Sequence, residues 1–270
     1  MAGGSLLDHL DAVLSLLGEG PSGLFLDLDG TLAEIVPRPE QTSVRPVVPR
    51  TLRALQRRLA LVSVVTGRPA LQARDILGVD ELVYAGNHGL ELLQDGRLEV
   101  AREARGHLEA VSRLLELVRT AFPEEGEEGL VFEEKAGSFA VHYRLAADPE
   151  GVRRRLLRFI EARAGDDVKL IMGKEVVNVL APVDLNKGTA LTDLSRRRRL
   201  AAAMVMGDDV TDLDAFRASR ALEDAGEIRG LRVAVVDGES PPEVAAAADY
   251  TLSGVPQVER VLSWLEERTR

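Results

Sequence analysis

Cysteine is absent from all 270 residues of the chain, which excludes disulfide bonds and thiolate chemistry and fits a reducing compartment. No stretch approaches about 18 consecutive uncharged apolar residues, so the sequence predicts no membrane-spanning helix. The first segment carries Asp8, His9 and Asp11 where a secretory signal would have a basic start and an unbroken apolar run. We therefore expect a cytoplasmic protein with no membrane partner.

Positive charge is also scarce in this chain. Lys and Arg number 34 against 44 Asp and Glu, which gives a formal net charge of −10. Nucleic-acid phosphates are bound by clustered Lys and Arg, and the run Arg196–Arg199 is predicted to be the exposed end of a helix instead. We expect no nucleic-acid partner. An acidic chain that binds a phosphorylated small molecule must supply positive charge locally, from a metal ion, a lysine or backbone N–H groups.

Short apolar runs alternate with helical segments in the two outer parts of the chain. The runs predicted to be strands are Gly23–Asp27, Leu61–Val65, Glu81–Ala85, Ala201–Met206 and Leu231–Val236. Strands separated by crossover helices form a parallel sheet with helices on both faces, so we predict an α/β, Rossmann-like core. The proline-rich stretch Pro37–Pro49 is predicted to be irregular.

The middle of the chain has a different pattern of elements. Helical spacing at His107–Phe122 and at Pro149–Arg163 is followed each time by two short strands with a glycine between them. This α-β-β-α-β-β order differs from the flanking parallel pattern. We predict that residues 101–182 form an inserted α+β domain and that residues 1–100 and 183–270 together form the core.

Polar residues gather where the apolar runs of the core end. The clusters are Asp27–Thr31, Thr66–Arg68, Gly86–Gly89 and Gly207–Asp209. The carboxyl ends of the strands in an open parallel sheet lie along one edge, and ligands bind in the crevice there. The sequence therefore predicts a single site built from four distant segments.

Two carboxylates, Asp27 and Asp29, follow the first strand, and Asp208 follows a later one. Carboxylates so close to each other repel unless a cation lies between them or one is protonated. Mg²⁺ prefers oxygen ligands and keeps several waters, which leaves room for phosphate oxygens. We predict that these three acids bind Mg²⁺, that Asp27 attacks phosphorus, and that Asp29 exchanges protons with the leaving oxygen and with water.

Lys187 and Thr66 complete the predicted catalytic set. Lys187 would neutralise Asp27 and the bound phosphate, and the Thr66 hydroxyl with nearby N–H groups would hold phosphate oxygens. Phosphoryl transfer needs mainly positioning and charge stabilisation, so these residues suffice for a phosphatase.

The string Asp27-Leu28-Asp29-Gly30-Thr31 resembles the signature of the haloacid dehalogenase superfamily of phosphatases. Thr66, Lys187 and Gly207–Asp209 resemble its second, third and fourth motifs in position and order. Further segments, from about residue 20 to 255, are similar to trehalose-6-phosphate phosphatases: Gly86–Glu91, Glu133–Arg144 and Gly207–Phe216. The resemblance implies the fold of that superfamily, with residues 101–182 as a type-IIB cap that closes over a sugar.

The resemblance also implies a role for each matching residue. Asp27 resembles the nucleophile, Asp29 the general acid/base that binds metal through its backbone carbonyl, and Asp208 the remaining metal ligand. Supporting positions are Gly30, Thr31, Asp209 and Asp212. Substrate-binding positions are expected at Gly67, Arg68, Asn87, His88, Glu133, Lys135, Lys174 and Asn178.

Asn178 is a departure from the family pattern. The family's cap motif ends in Glu at this position, where the chain has Asn after Gly173-Lys174-Glu175-Val176-Val177. Asn can still bond sugar hydroxyls, but it is not a charged acceptor. The loss of a charge-assisted bond costs on the order of 1–3 kcal/mol.

Together these observations predict a Mg²⁺-dependent sugar-phosphate phosphatase, acting first of all on trehalose 6-phosphate. Alternatives that remain open are a phosphatase for a related glycosyl phosphate, such as a glucosylglycerol, mannosylglycerate or cyclitol conjugate, and a phosphosugar mutase. A phosphoacceptor signalling module and a sugar-binding protein without activity are two non-enzymatic alternatives. The expected partner is a small-molecule sugar phosphate, and the expected state is a monomer or a small homo-oligomer.

Overall fold

The computed structural model describes residues 4–18, 20–123, 129–238 and 240–269. The chain divides into two compact units. The first comprises Met1–Val36, Gln41–Glu99 and Leu185–Arg270, and the second comprises Pro37–Glu40 and Val100–Asp184.

Strands and helices alternate along most of the chain. The strands are β1 (Ser22–Leu26), β2 (Leu61–Val65), β3 (Val83–Gly86), β4 (Glu91–Gln94), β5 (Arg97–Val100), β6 (Val131–Lys135), β7 (Ser138–His142), β8 (Lys169–Gly173), β9 (Val176–Leu180), β10 (Ala202–Gly207), β11 (Arg229–Val236) and β12 (Tyr250–Ser253). The α-helices are α1 (Leu10–Leu17), α2 (Val47–Gln56), α3 (Ala70–Leu77), α4 (Leu108–Ala121), α5 (Pro149–Ala164), α6 (Lys187–Arg197), α7 (Asp212–Asp224), α8 (Pro242–Ala247) and α9 (Gly254–Arg268). Short 3-10 helices lie at Leu6–Asp8, Pro39–Gln41, Asn87–Gly89, Arg102–His107 and Gly165–Asp167.

The first unit is built on an eight-stranded sheet in the order β12-β11-β10-β1-β2-β3-β4-β5. The six strands from β12 to β3 are parallel, and β4 is antiparallel to β3. Strand β1 is buried along its whole length, as is typical of parallel strands covered on both faces. Leu24 and Leu26 belong to the core with α1, α2, α3 and α9, whereas Phe25 belongs to the core with α6, α7 and α8. The predicted α/β core is confirmed.

Strand β1 lies where the order of the sheet reverses. From β1 the chain continues outward through β2 and β3 on one side, while β10, β11 and β12 continue outward on the other. At such a switch point the loops after adjacent strands turn to opposite faces and leave a crevice at the carboxyl ends. This topology places the residues that follow β1 and β10 at the edge where a ligand binds.

The second unit has a four-stranded antiparallel sheet in the order β6-β7-β9-β8. Side chains alternate between the two faces of each strand. Phe139 and Val141 on β7 and Val179 on β9 pack against α4 and α5 in one hydrophobic core. The intervening residues, including Ala140 and Asn178, therefore point to the opposite face of the sheet.

Several elements of the first unit differ from expectation. Helix α2 begins at Val47, inside the stretch predicted to be irregular, and Pro49 is its third residue. Proline is tolerated there because the first N–H groups of a helix have no intrahelical partner. Strands β4 and β5 were not predicted. The first three residues of β5 are exposed, so its sequence shows neither the alternation of a half-buried strand nor the apolar run of a buried one.

Among the described residues, none of the helices combines the length and the apolar character needed to cross a bilayer.

Arg232 on β11 is 2% exposed and anchors an ion-pair network in the first unit. Its Nε donates to Asp249 Oδ2 at 2.7 Å and one Nη donates to Glu223 at 2.8 Å, while Arg220 pairs with Asp249 at the surface. Burial by itself raises the pKa of Asp249, but hydrogen bonds from Arg232 and Arg220 outweigh burial and lower the pKa below its usual value. Asp249 therefore stabilises the fold above its usual pKa of about 3.9, and this stabilisation is lost as the pH falls through the lowered pKa.

We predict that Arg232→Ala lowers the free energy of unfolding by about 3 kcal/mol, because it leaves two partly buried carboxylates without their main cation. Arg220→Ala, which removes an exposed member of the same network, should cost less than about 1 kcal/mol. Urea unfolding at pH 7 and at about pH 3, below the usual pKa of Asp249, measures both effects, and the difference between Arg232→Ala and wild type should shrink at the lower pH. Equal stability of wild type and Arg232→Ala at pH 7 would contradict the prediction.

Candidate active site

Asp27 and Asp208 lie side by side because their strands do. Asp27 follows β1, Asp208 follows β10, and the two parallel strands pair with Leu26 opposite Met206. Carboxylate oxygens of Asp27, Asp208 and Asp212 all lie within 4.8 Å of one another, and all three residues are buried. Asp212 reaches this group from the first turn of α7. The predicted convergence of distant acids therefore includes a residue that the sequence suggested only as a supporting one.

Two glycines make room for the three carboxylates. Gly30 has a φ of +80°, and a Cβ on it would lie 2.1 Å from Asp208 Oδ2. A Cβ on Gly207 would lie 2.2 Å from the carboxylate carbon of Asp212. Any side chain at either position would displace an acid, so both glycines are required by the close approach.

Lys187 is the first residue of α6 and brings an ammonium group into the group of acids. Asn186 caps the helix, its side chain accepting from the Thr189 N–H and its own N–H donating to the Thr189 hydroxyl. The Lys187 Nζ lies 3.0 Å from Asp27 Oδ1 and donates to Asp212 Oδ1 at 2.8 Å. The Lys187 side chain is only 3% exposed, so both contacts of its ammonium group are shielded from solvent.

The acids of this pocket outnumber the charge that Lys187 supplies. Burial raises the pKa of Asp27 well above its usual range, Asp212 and Asp208 raise it further, and Lys187 offsets only part of this. Burial by itself lowers the pKa of Lys187, but Asp212 and Asp27 outweigh burial and raise it. Lys187 brings one positive charge to three buried carboxylates, so the group can accommodate a divalent cation with oxygen ligands. This donor set fits Mg²⁺.

The carboxylate of Asp29 lies outside the acid group. Its oxygens accept two bonds from the Arg68 guanidinium, from Nε at 2.6 Å and from Nη2 at 2.7 Å. Arg68 Nη2 also donates to the Thr42 hydroxyl at 2.6 Å. Metal binding by Asp29 through its backbone carbonyl and proton transfer by its carboxyl group remain predictions, and so does substrate binding by Arg68. No sequence pattern pointed to Thr42.

Thr66 and its neighbours are tied to the loop after β3. The His88 N–H donates to the Thr66 carbonyl at 3.0 Å, and the Asn87 N–H donates to the Arg68 carbonyl at 2.7 Å. The His88 ring lies against Gly67, where a Cβ would be 2.7 Å from it. Both Asn87 (φ +52°) and His88 (φ +55°) adopt the left-handed conformation, which is strained for residues other than glycine.

Glu91 holds this strained loop. It is 3% exposed, and its carboxylate accepts from the Ala70 N–H at the start of α3 and from the Asn87 side-chain amide at 3.4 Å. A carboxylate at a helix N-terminus is stabilised by the orphan N–H groups there. Glu91 lies in a segment that resembles the family, but no sequence pattern indicated this function.

The supporting residues are also near the acid group. The backbone N–H groups of Asp208 and Asp209 both donate to Asp212 Oδ2 at 3.1 Å, which fixes the loop after β10. Thr31 is fully buried directly after Gly30. Asp212 therefore makes two kinds of contact: one of its oxygens positions the loop after β10, and the other binds Lys187.

The predicted sugar-binding residues of the second unit are described by themselves. Lys135 Nζ lies 3.2 Å from Glu133 Oε2 and 3.5 Å from Asn178 Oδ1, and His142 Nε2 lies 3.4 Å from the same Glu133 oxygen. Register explains this grouping, since Glu133, Ala140 and Asn178 are opposite one another on β6, β7 and β9. Lys174 lies apart from this row, in the turn between β8 and β9.

Comparison with known proteins shows the family to which the chain is similar. The family model for trehalose-phosphatase matches residues 25–256. A probable trehalose-phosphate phosphatase from Sinorhizobium fredii is 31% identical over 240 residues, which are 87% of this chain and 83% of that protein. A trehalose-phosphate phosphatase from Mycobacterium avium is 32% identical over 93% of this chain, which spans 64% of that longer protein.

Solved structures show the same fold. The C-terminal domain of the C. albicans trehalose-6-phosphate phosphatase superposes with a TM-score of 0.76 at 21% identity and covers 96% of each chain. A haloacid dehalogenase-like hydrolase from Bacteroides thetaiotaomicron superposes with a TM-score of 0.63 at 15% identity, over 91% of this chain and 100% of that one. The predicted fold, an α/β core of the haloacid dehalogenase type, is confirmed.

Proposed function

The chain belongs to the trehalose-phosphatase family, and from this premise we propose that it hydrolyses trehalose 6-phosphate to trehalose and inorganic phosphate. The observation that carries the proposal is the buried contact of Asp27 with Lys187 at 3.0 Å, beside the carboxylates of Asp208 and Asp212. A buried carboxylate with a fixed cation at the switch point of a parallel sheet is suited to attack on phosphorus.

The first half of the reaction transfers the phosphoryl group to Asp27. An oxygen of Asp27 forms a bond to phosphorus while the bond from phosphorus to the sugar oxygen breaks. Asp29 gives a proton to the departing sugar oxygen, so that a neutral sugar leaves. The Thr66 hydroxyl and the neighbouring N–H groups hold phosphate oxygens, and Lys187 offsets the charge on Asp27 and the phosphoryl group.

The second half returns Asp27 to its starting state. Water attacks phosphorus, the bond to the Asp27 oxygen breaks, and Asp29 accepts a proton from the water. Asp27 and Asp208 would hold Mg²⁺, with the Asp29 backbone carbonyl as a further ligand and Asp212 orienting Lys187 and the loop after β10. Bound Mg²⁺ supplies positive charge that keeps Asp27 ionised and neutralises phosphate oxygens.

Each unit, taken by itself, has polar residues that we assign to substrate binding. In the second unit these are Glu133, Lys135, Lys174 and Asn178, and in the first unit they are Gly67, Asn87 and His88. Glu133 supplies charged acceptors and Lys135 supplies donors, and both kinds of group bind sugar hydroxyls. We propose that the second unit acts as the specificity cap and the first as the catalytic core.

A phosphate-release screen over sugar phosphates tests the substrate. We predict that wild type releases inorganic phosphate from trehalose 6-phosphate, and that Asn178→Glu raises kcat/KM about tenfold by adding a charged acceptor. Asn178→Gln, which adds length without charge, is the matched control and should not show this gain. Phosphate that stays on the sugar would indicate a mutase, and the absence of release from every sugar phosphate would contradict the proposed function.

Thermal unfolding with and without Mg²⁺ tests the metal site. An ion that binds only the folded protein, at a concentration of about 100 times its dissociation constant, adds about 2.7 kcal/mol to the free energy of unfolding. The melting temperature of wild type should therefore rise by roughly 5–10 °C. Asp208→Asn should abolish most of this rise because it removes a buried charged ligand. Asp193→Asn, at an exposed surface acid, is the control and should keep the full rise. A full rise in Asp208→Asn would place the ion elsewhere.

A further inference from the structure

Asp29, the proposed acid/base, is held by an arginine in a defined orientation. Its side chain is 33% exposed, yet both carboxylate oxygens accept from Arg68, from Nε at 2.6 Å and from Nη2 at 2.7 Å. Two parallel bonds between a planar guanidinium and a carboxylate fix the plane of the carboxylate as well as its position. A partly exposed aspartate would otherwise sample several rotamers.

Arg68 is itself fixed at three points. Its side chain is 9% exposed, and Nη2 donates to the Thr42 hydroxyl at 2.6 Å. Its backbone N–H donates to the Thr66 hydroxyl at 3.2 Å, and its carbonyl accepts from the Asn87 N–H at 2.7 Å. Thr42 is 8% exposed, so this contact is inside the first unit and differs from the solvated arginine pairs of the surface.

We propose that Thr42 and Arg68 are positioning residues that aim the Asp29 carboxyl group at the oxygen that leaves with the sugar. The inference rests on the proposed function, because it assigns a task to the acid/base of that reaction. Thr42 fixes the Arg68 guanidinium, and Arg68 fixes Asp29. When one oxygen of Asp29 carries the proton, the other still accepts from Arg68, so the carboxyl group stays aligned.

The proton balance needs no further reactant. As the bond from phosphorus to the sugar oxygen breaks and the bond to Asp27 forms, the proton on Asp29 passes to the sugar oxygen. When water later attacks phosphorus, its proton returns to Asp29. Arg68 donates hydrogen bonds throughout and remains a cation, as guanidinium groups do in proteins.

This assignment separates Arg68 from a residue that binds substrate directly. If Arg68 bound the phosphate, its substitution would lower the rate equally for every phosphate monoester. If Arg68 bound the sugar, its substitution would change KM and leave kcat intact. An arginine that acts through Asp29 matters only where the leaving oxygen must be protonated. A sugar alkoxide requires that proton, and p-nitrophenolate leaves without it.

The test compares single-turnover release of the leaving group from the sugar phosphate that wild type hydrolyses and from p-nitrophenyl phosphate. Single turnover isolates the first half of the reaction, in which only the leaving group differs. We expect Arg68→Lys to slow release of the sugar about 10²-fold and Thr42→Val about tenfold, with less than about threefold loss on p-nitrophenyl phosphate. Thr42→Ser, which keeps the hydroxyl, should recover most of the rate lost in Thr42→Val.

Equal losses on the two substrates, or a rise in KM with kcat intact, would overturn the positioning role and return Arg68 to substrate binding. Circular dichroism and melting temperature are measured for each variant, and Thr42→Val keeps the test decisive if Arg68→Lys does not fold. Failure of the proposed function has a different outcome, since wild type would then release no phosphate from trehalose 6-phosphate, whatever the variants do.

Discussion

Asp27→Asn should lower phosphate release by about 10⁴-fold or more while leaving the protein at least as stable as wild type without metal. The amide keeps the shape of the side chain and can still accept a hydrogen bond from Lys187, but it lacks the charged oxygen that we propose as the nucleophile. Burial and the neighbouring acids raise the pKa of Asp27, so the ionised carboxylate opposes folding and its removal should not weaken the fold.

The sign of the pH dependence follows from the same shift. A carboxyl group whose pKa is raised by folding stabilises the protein below its usual pKa, and that stabilisation is lost as the pH rises through the higher value. Wild type in a chelator should therefore lose stability over this range, and Asp27→Asn should lose less. Asp193→Asn serves as the control for both activity and melting temperature. Phosphate release at the wild-type rate by Asp27→Asn would end the assignment of the nucleophile.

Lys187→Met should impair both catalysis and stability. Without the ammonium group, three buried carboxylates lose the positive charge of Lys187, and removal of one partner from a buried ion pair costs about 3–5 kcal/mol. The phosphoryl group also loses a positive charge in a buried site, which should lower kcat by about 10²–10³-fold. Urea unfolding in a chelator and single-turnover kinetics with Mg²⁺ measure the two effects separately.

A second substitution shows whether the stability loss is electrostatic. Lys187→Met combined with Asp212→Asn removes one of the three negative charges and should recover part of the lost stability, although it recovers no activity. Mg²⁺ should likewise stabilise Lys187→Met more than it stabilises wild type. If Lys187→Met in a chelator unfolds at the same urea concentration as wild type, the charges of this pocket do not interact as the distances imply.

The sequence was informative about the core of the site because chemistry and topology coincide there. Asp27, Lys187 and Asp208 each sit at the end or the beginning of an element, and a parallel sheet brings such positions to one edge. Their convergence therefore follows from the order of apolar runs alone. The family resemblance then supplied roles that composition and spacing left undetermined, such as metal binding through the backbone of Asp29.

Side-chain direction could not be read in the same way. Asp29 is two residues from Asp27, yet its carboxylate turns to Arg68, and the third carboxylate of the acid group comes from Asp212 on a helix. These choices depend on rotamers and on loops folded over one another. Thr42 is the clearest example. Its hydroxyl accepts a hydrogen bond from Arg68, which is 26 residues away, and no pattern in the sequence relates the two segments.

Short or exposed strands could not be predicted from the sequence either. Strand β12 has four residues and β5 has an exposed, charged surface, so neither produces the apolar pattern by which strands are identified. Long buried runs such as β2 were predicted with their observed bounds because both faces are covered and every residue is apolar or small.

The position of β1 at the centre of the sheet has a consequence for synthesis of the protein. Phe25 pairs with Val205, which the ribosome adds about 180 residues later, and β2 is available long before β10. One edge of the apolar strand β1 therefore stays unpaired through translation of the whole insertion, a state in which chaperones bind and aggregation competes. Asp27 and Asp208 meet only at the end of this process, so a truncated nascent chain can hold Asp27 but cannot assemble the group of buried carboxylates.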